Sequence, residues 1–558
     1  MLNILSVRRL ARVLAALAAG LFSWLAVAGD APPLASFSGE LAAGQRREHP
    51  LTLDAGEYVQ GRLAGAGMRL ALLNAQGAQL RVLSKGRRAE EEFMFVADAA
   101  GDYLLDVRAP RAGAYQLDIS RRATRAEQQP PPAPLASPRL RALQASGDSA
   151  AFWRDIARDG APLVESAGVE PPLADDERLV TFVWRGAQHG VRLHGGPSAD
   201  HDALSRLPGS DVWYRSYRLP ASTRLAYRLA PDVPELNADP HTRRRAILAT
   251  AQRDPHNPRS MPAAPLDRYD GYSLLELPQA PSASWTQAQP GVAAGTLETQ
   301  MLDSAQLGNR REIQLYRSAG YRPGAPGQAL LVLFDGESYT SQVPTPTILD
   351  NLVAAGRIPP LAAILISNPS EAARSAELPP NPRFARFLAE ELMPWAKARG
   401  VFAPAARTVV AGASYGGLAA AWAGLTHPEW FGNVYSQSGS FWWAPGWQQA
   451  GAFAQGEAQA EWLTRRFAQS PRLPLRFQLE AGLFETGRPG QVGILDATRH
   501  LRDVLRAKGY PVGHREYAAA HGYEHWRISL ADGLMALLGQ QAKPKPKPKP
   551  KPKPKPKP

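Results

Sequence analysis

TVVAGASYGGLAAAWAGLTHP, residues 408–428, opens on an apolar run, turns on glycines around Ser414, and continues in small helix-forming residues. A serine set as Gly412-Ala413-Ser414-Tyr415-Gly416 between a strand and a helix is a nucleophile signal. A sharp strand-to-helix turn leaves no room for side chains beside the serine. The helix that follows turns its positive end toward developing negative charge. The bland alternative is a structural Gly-rich turn. The surroundings argue against it. ALLVLFDG (329–336), LAAILIS (361–367), FGNVYSQS (431–438) and LRFQLEAG (475–482) are strand-like apolar runs. They alternate with helical stretches such as PTILDNLVAAG (346–356) and ATRHLRDVLRAKG (497–509). That alternation predicts an α/β domain over 295–541 with a mostly parallel sheet covered on both faces. Ligands of such sheets sit at the carboxyl ends of the strands.

A serine hydroxyl is a weak nucleophile and needs a base. In this class the histidine comes last in the chain. His521 opens the loop HGYEHWR (521–527) after the final strand-like segment and is the expected base. His514 reads as a surface strand residue, and His525 as structural or substrate-contacting. The acid that orients the histidine is expected at Glu485, three residues past the strand ending at Gly482. Asp496, at the start of a helix, is the alternative acid; Glu480, within the strand, is less well aimed. The oxyanion hole needs two backbone N–H groups. Tyr415 supplies one, and the loop after LVLFDG the other, from Glu337 beside Gly336.

Upstream, residues 34–122 alternate with period two between Gly and Asp turns, as in a small β-sandwich. Residues 123–138, with the run EQQPPPAPLASP, read as a linker. A β-rich domain is expected over 139–290.

The 558 residues carry a net charge of +13 and no cysteine. Zero cysteine excludes disulfide frameworks, thiolate metal sites and cysteine nucleophiles. The charge suggests nucleic acid until it is located. The eight Lys-Pro pairs from Lys543 to Pro558, within a tail of 542–558, hold +8 of it, and Arg8, Arg9 and Arg12 another +3. The body between is nearly neutral, so no nucleic-acid partner is expected. Residues 1–28, with arginines before an apolar run and then Ala26-Val27-Ala28, predict a cleaved signal peptide and a periplasmic protein. The tail predicts an extended rod whose strongest conceivable contact is weak attraction to the anionic envelope.

At this point the sequence resembles the enterochelin (enterobactin) esterase family over about 150–540. The resemblance rests on the nucleophile helix followed by Ser436-Gln-Ser-Gly-Ser-Phe-Trp-Trp443. It also rests on TILDNLVAAGRIPPLAAILI and on Arg374, Glu377, Leu378, Pro379, Asn381 and Phe384 in the pattern R-x-x-E-L-P-x-N-x-x-F. His521 to Arg527 match the family's histidine loop, and VTFVWRG and DPHNP its N-terminal domain. The signal peptide and the first β-module set this chain apart from cytoplasmic members, and its acid loop is unlike theirs. The resemblance implies a serine esterase that opens catecholate trilactone siderophores through an acyl-enzyme. It needs no cofactor, and iron enters only with the substrate. A ferric tris-catecholate is trianionic and aromatic, which makes Arg374 a candidate cation and Trp442 and Trp443 candidate walls. The bland readings are an Arg374–Glu377 pair and core tryptophans. Two rivals stay open: an esterase or acyltransferase of the same fold on a feruloyl or mycolyl ester, and a non-catalytic siderophore-binding protein.

Overall fold

The computed structural model describes residues 33–86, 89–125, 127, 133–198, 201–234, 240–446, 460–487 and 492–539. The expected signal peptide, the Lys-Pro tail and part of the linker lie outside the described residues. The chain divides into two compact units, Met1–Pro132 and Ala133–Pro558.

The first unit holds two four-stranded antiparallel sheets. Alternate residues point inward, so Val59, Leu63, Phe93 and Phe95 of one sheet meet Leu70, Leu72, Leu105 and Val107 of the other in one core.

The second unit begins with helices Pro138–Ser146 and Ser149–Asp159, capped by the side chains of Ser137 and Asp148. Two further four-stranded antiparallel sheets follow, centred on strands Glu177–Arg185 and Arg224–Pro231. The rest of the unit is built on one eight-stranded mixed sheet. Its strands are β1 (Thr296–Ser304), β2 (Asn309–Arg317), β3 (Ala329–Phe334), β4 (Leu361–Ile366), β5 (Thr408–Ala413), β6 (Asn433–Gln437), β7 (Arg476–Gly482) and β8 (Val512–Tyr517). The spatial order is β1-β2-β4-β3-β5-β6-β7-β8. β1 and β2 run antiparallel at one edge; β3 to β8 are all parallel. The sheet is buried on both faces. Along β3, Leu330, Val332 and Phe334 enter one core while Leu331 and Leu333 enter the other.

Six helices bear on the site: α1 (Ser338–Ser341), α2 (Thr345–Ala354), α3 (Glu371–Glu377), α4 (Tyr415–Thr426), α5 (Ile494–Ala507) and α6 (Tyr523–Leu538). α4 lies tightly on the sheet because its contact positions are glycine. A Cβ on Gly417 or Gly424 would come within 2.5 Å of Ser436 Oγ or 2.6 Å of Val434 Cγ2.

Candidate active site

Ser414 sits between the end of β5 and the first residue of α4, with φ 59° and ψ −121°. A non-glycine residue at positive φ is strained, and the neighbours hold it there. Its N–H donates to Gln437 O at 3.0 Å, and its carbonyl accepts from Ser440 N at 3.1 Å. The flanking glycines are a steric requirement: a Cβ on Gly412 would stand 2.6 Å from the Gly416 backbone. Ser414 Oγ lies 3.4 Å from Ser440 Oγ. Among the described residues it makes no hydrogen bond to His521.

His521 lies in the loop between β8 and α6, and its Nδ1 is 2.5 Å from Glu485 Oε1. The Glu485 side chain is 2% exposed against 39% for His521, so the acid is enclosed and the base opens to the cleft. The other carboxylate oxygen accepts the Gly482 N–H at 2.6 Å. The acid is thereby fixed to the end of β7. His521 also stands edge-on to Trp526, with ring centroids 4.8 Å apart. Asp496 is elsewhere: it is 48% exposed in the first turn of α5, 3.7 Å from Arg499. His514 is turned inward from β8, with 8% side-chain exposure rather than the expected open surface, and its Nδ1 faces Arg502. His525 is buried within α6, which excludes substrate contact, and burial pushes it down to about 3.

Of the expected oxyanion donors, Tyr415 begins α4, where helical geometry leaves its N–H without an intrahelical acceptor. Gly336 does not serve: its N–H donates to Ile366 O at 2.9 Å, continuing the ladder past the end of β3. Its missing side chain has a different reason, since a Cβ there would meet the β4 backbone at 2.9 Å. Glu337, one residue on, has no acceptor for its N–H among the described residues.

Arg374 is anchored, but not to Glu377. Its Nε and Nη2 grip Asp335 at 2.7 and 2.9 Å, and Asn368 Nδ2 reaches the same carboxylate at 2.6 Å. Glu377 instead pairs with the fully buried Arg311 at 2.6 Å. The Arg374 guanidinium faces the Tyr415 ring at 5.9 Å, and Trp442 lies on Tyr415 with centroids 6.3 Å apart. The ring partner of Trp443 is Trp462, and both pack, half-buried, against the same core as Trp442 does. Arg374, Tyr415 and Trp442 thus form one aromatic flank with a paired guanidinium beside Ser414. No group of three or more His, Asp or Glu side chains among the described residues is arranged to hold a metal ion.

Residues 304–537 match the family described as "Putative esterase", and residues 179–286 the one described as "Enterochelin esterase, N-terminal". The iron(III) enterobactin esterase of Dickeya dadantii (strain 3937) is 32% identical over 427 residues, spanning 70% of this chain and 92% of that protein. The chain belongs to the enterochelin esterase family. The iron(III) salmochelin esterase of Escherichia coli O6:H1 is 31% identical over 402 residues, 70% of this chain and 93% of that one. A crystal structure of the Shigella flexneri enterobactin esterase, in the presence of enterobactin, superposes with a TM-score of 0.53 at 30% identity. It covers 70% of this chain and 98% of that one.

In this member of the enterochelin esterase family, sequence reasoning missed Asp335 and Ser440. Asp335 follows a fully buried strand in Phe334-Asp335-Gly336 and has φ 56°, a combination of acid and strand end that could have flagged it. Ser440 gave no such signal, because its place beside Ser414 depends on the turn through Ser438, itself at φ 47°.

Proposed function

We propose that the chain is a periplasmic serine esterase that hydrolyses the ester bonds of an enterobactin-like catecholate trilactone, aiding iron release. On this reading the eight-stranded domain is an α/β-hydrolase and the first unit a β-sandwich accessory. Residues 1–28 are a cleaved export signal. No cofactor takes part, and iron belongs to the substrate.

Ser414 Oγ attacks a seryl ester carbonyl as His521 Nε2 takes its proton. The N–H groups of Tyr415 and Glu337 receive the oxyanion. Glu485 holds the histidine tautomer and offsets the imidazolium charge. His521 then gives the proton to the departing serine alcohol, leaving an acyl-enzyme. Water attacks next, with His521 again as base, and the free acid leaves. Ser414 Oγ must first turn from Ser440 toward His521; catalytic hydrogen bonds are often long before substrate arrives. Arg374, held bidentately by Asp335, offers its remaining N–H edge and the adjoining rings to a catecholate.

The observation that carries the reading is the 2.5 Å His521–Glu485 contact, together with a strained serine at the strand-to-helix turn, in a chain whose family likeness spans two domains. Mass analysis of products from ferric and iron-free trilactone tests it. Linear dihydroxybenzoylserine oligomers are expected from the wild type and none from Ser414→Ala. Intact trilactone with the wild type would overturn the substrate assignment, and unchanged turnover by Ser414→Ala the mechanism.

A further inference from the structure

Behind the nucleophile, between β6, β7 and α6, lies a closed set of buried polar side chains that the reaction does not use. Glu480 is 1% exposed at its centre. Its Oε1 is 2.5 Å from Ser529 Oγ and 3.2 Å from Gln437 Nε2; its Oε2 is 2.8 Å from Tyr435 OH. Tyr435 OH is also 2.7 Å from the Ser529 carbonyl. Gln437 Nε2 reaches Trp526 O at 3.0 Å and Ser529 Oγ at 2.7 Å, and Tyr339 OH meets Gln437 Oε1 at 2.6 Å.

The hydrogens in this set can be counted. The carbonyl of Trp526 accepts only, so Gln437 must present its NH2 there, and its Oε1 takes the Tyr339 proton. The second NH2 hydrogen goes to Ser529 Oγ, which frees the Ser529 hydroxyl hydrogen for Glu480 Oε1. The carbonyl of Ser529 also accepts only, so it consumes the single Tyr435 hydrogen. The contact between Tyr435 O and Glu480 Oε2 then has no hydrogen unless the carboxyl brings one. With a carboxylate, two bare oxygens would face each other at hydrogen-bond distance. With a carboxylic acid that contact gains its donor, and only the longest contact of the set, Gln437 Nε2 to Glu480 Oε1 at 3.2 Å, is left without a hydrogen of its own.

We infer that Glu480 is held as a neutral carboxylic acid, and that the network it closes is a positioning device for Ser414 and His521. The second half rests on the roles proposed above. The surrounding charges agree. His525 Nε2 lies 3.7 Å from Glu480 Oε1, beyond a hydrogen bond, and is itself buried without a partner. Asp532 on α6 is paired with Arg515 of β8 at 2.6 Å and with Tyr517, so it adds negative rather than positive potential. Tyr339 of α1, Tyr435 of β6 and Tyr517 of β8 are the other titratable groups facing Glu480, and all are neutral. Among the described residues no cation is left to compensate an ionised Glu480, and burial raises its pKa from 4.5 to about 7.

The network reaches all three working parts of the site. The Gln437 carbonyl holds the Ser414 N–H, and Tyr339 belongs to α1, directly after Glu337. Trp526, whose carbonyl binds Gln437, meets His521 edge to face and donates its indole N–H to Ser438 Oγ at 3.1 Å.

The test is difference infrared spectroscopy of the full chain across pH, with Glu480→Gln and Glu480→Ala beside the wild type. Below about pH 7 the wild type should show a protonated carboxyl band, fading as pH rises, that Glu480→Gln lacks; the similarly raised Glu524 gives a second band present in both. Glu480→Gln, which can donate to Tyr435 and accept from Ser529, should rescue kcat to within about threefold. Glu480→Ala should lose roughly tenfold or more in kcat with KM little changed, the mark of displaced reacting groups. A wild type with no such band would overturn the neutral acid. Equal kcat in the Ala and Gln variants would overturn the positioning role. The band does not depend on turnover, so a failed substrate assignment and a failed proton assignment give different results.

Discussion

Replacing Glu485 by Gln separates charge from shape at the candidate triad. Two donors converge on this carboxylate, His521 Nδ1 on one oxygen and Gly482 N–H on the other. A carboxamide has one oxygen. If it stays with Gly482, its NH2 faces Nδ1, and the imidazole must carry its proton on Nε2, where it can no longer accept from Ser414. If the amide turns, the tautomer is kept but a buried N–H at Gly482 opposes another donor, at about 1–3 kcal/mol. That alone removes ten- to a hundredfold of the competent population. Losing the negative charge beside the imidazolium costs about 4 kcal/mol more, at an effective dielectric near 20 and a separation of about 4 Å. The two effects overlap, which puts the loss in kcat at roughly 10³- to 10⁴-fold, in the range of a triad deprived of its acid. The assay is the initial rate of trilactone opening, by chromatography of the released acids, with thermal melting to verify the fold. Retention of more than about a tenth of wild-type kcat by a folded Glu485→Gln would refute the reasoning. So would a comparable collapse in Asp496→Asn, which should stay within about twofold because Asp496 faces solvent.

Arg374→Ala should lower thermal stability as well as activity: the Asp335 side chain is 3% exposed, and breaking a buried ion pair from one side costs about 3–5 kcal/mol. An unshifted melting temperature would show the pair to be dispensable. Gly196→Ala should cut kcat by about ten- to a hundredfold with little change in melting, since a Cβ there falls 2.5 Å from Ala520 Cβ and displaces the His521 loop. Wild-type turnover would disconnect that contact from catalysis. The Glu480 carboxyl, raised by burial from 4.5 to about 7, favours folding in its protonated form. Its contribution is therefore complete below about pH 4.5 and lost as pH rises through about 7, so Glu480→Gln should gain on the wild type in denaturant melts over that window.

Features set by local backbone needs were legible in the sequence. The 2.6 Å clash at Gly412 is a property of the turn itself, so the glycine pattern reports it wherever the turn occurs. Glu485 was legible for a topological reason: a parallel strand delivers its chain end to the cleft, and the acid follows that end by three residues. Long-range pairing was not legible. Arg374 and Glu377 stand three apart in one motif and read as a pair. Arg311, however, is fully buried, needs a carboxylate more, and takes Glu377 from 66 residues away. Glu337 was the expected donor with Gly336 beside it, but that the sheet ladder consumes the Gly336 N–H follows only from the alignment of β3 with β4.

His521, the proposed base, is carried on a loop, and loops are ordinarily the mobile part of a site. An imidazole must nevertheless be held closely to relay a proton between serine and leaving group. Here the loop is fastened from the side opposite the nucleophile. Arg224 N–H donates to Ala518 O at 3.0 Å, and Gly196 abuts Ala520. The buried Glu524 carboxyl accepts the Ala226 N–H, and Arg527 Nη1 rests 3.7 Å from Met261 Sδ. All four partners come from the β-rich region ahead of the eight-stranded sheet. That region contributes none of the proposed nucleophile, acid and base, yet it holds the loop that carries His521. A rigid antiparallel sheet does for His521 what β5 and α4 do for Ser414. The family likeness, which runs through residues 179–286 as well as 304–537, thus covers both regions that meet at the His521 loop.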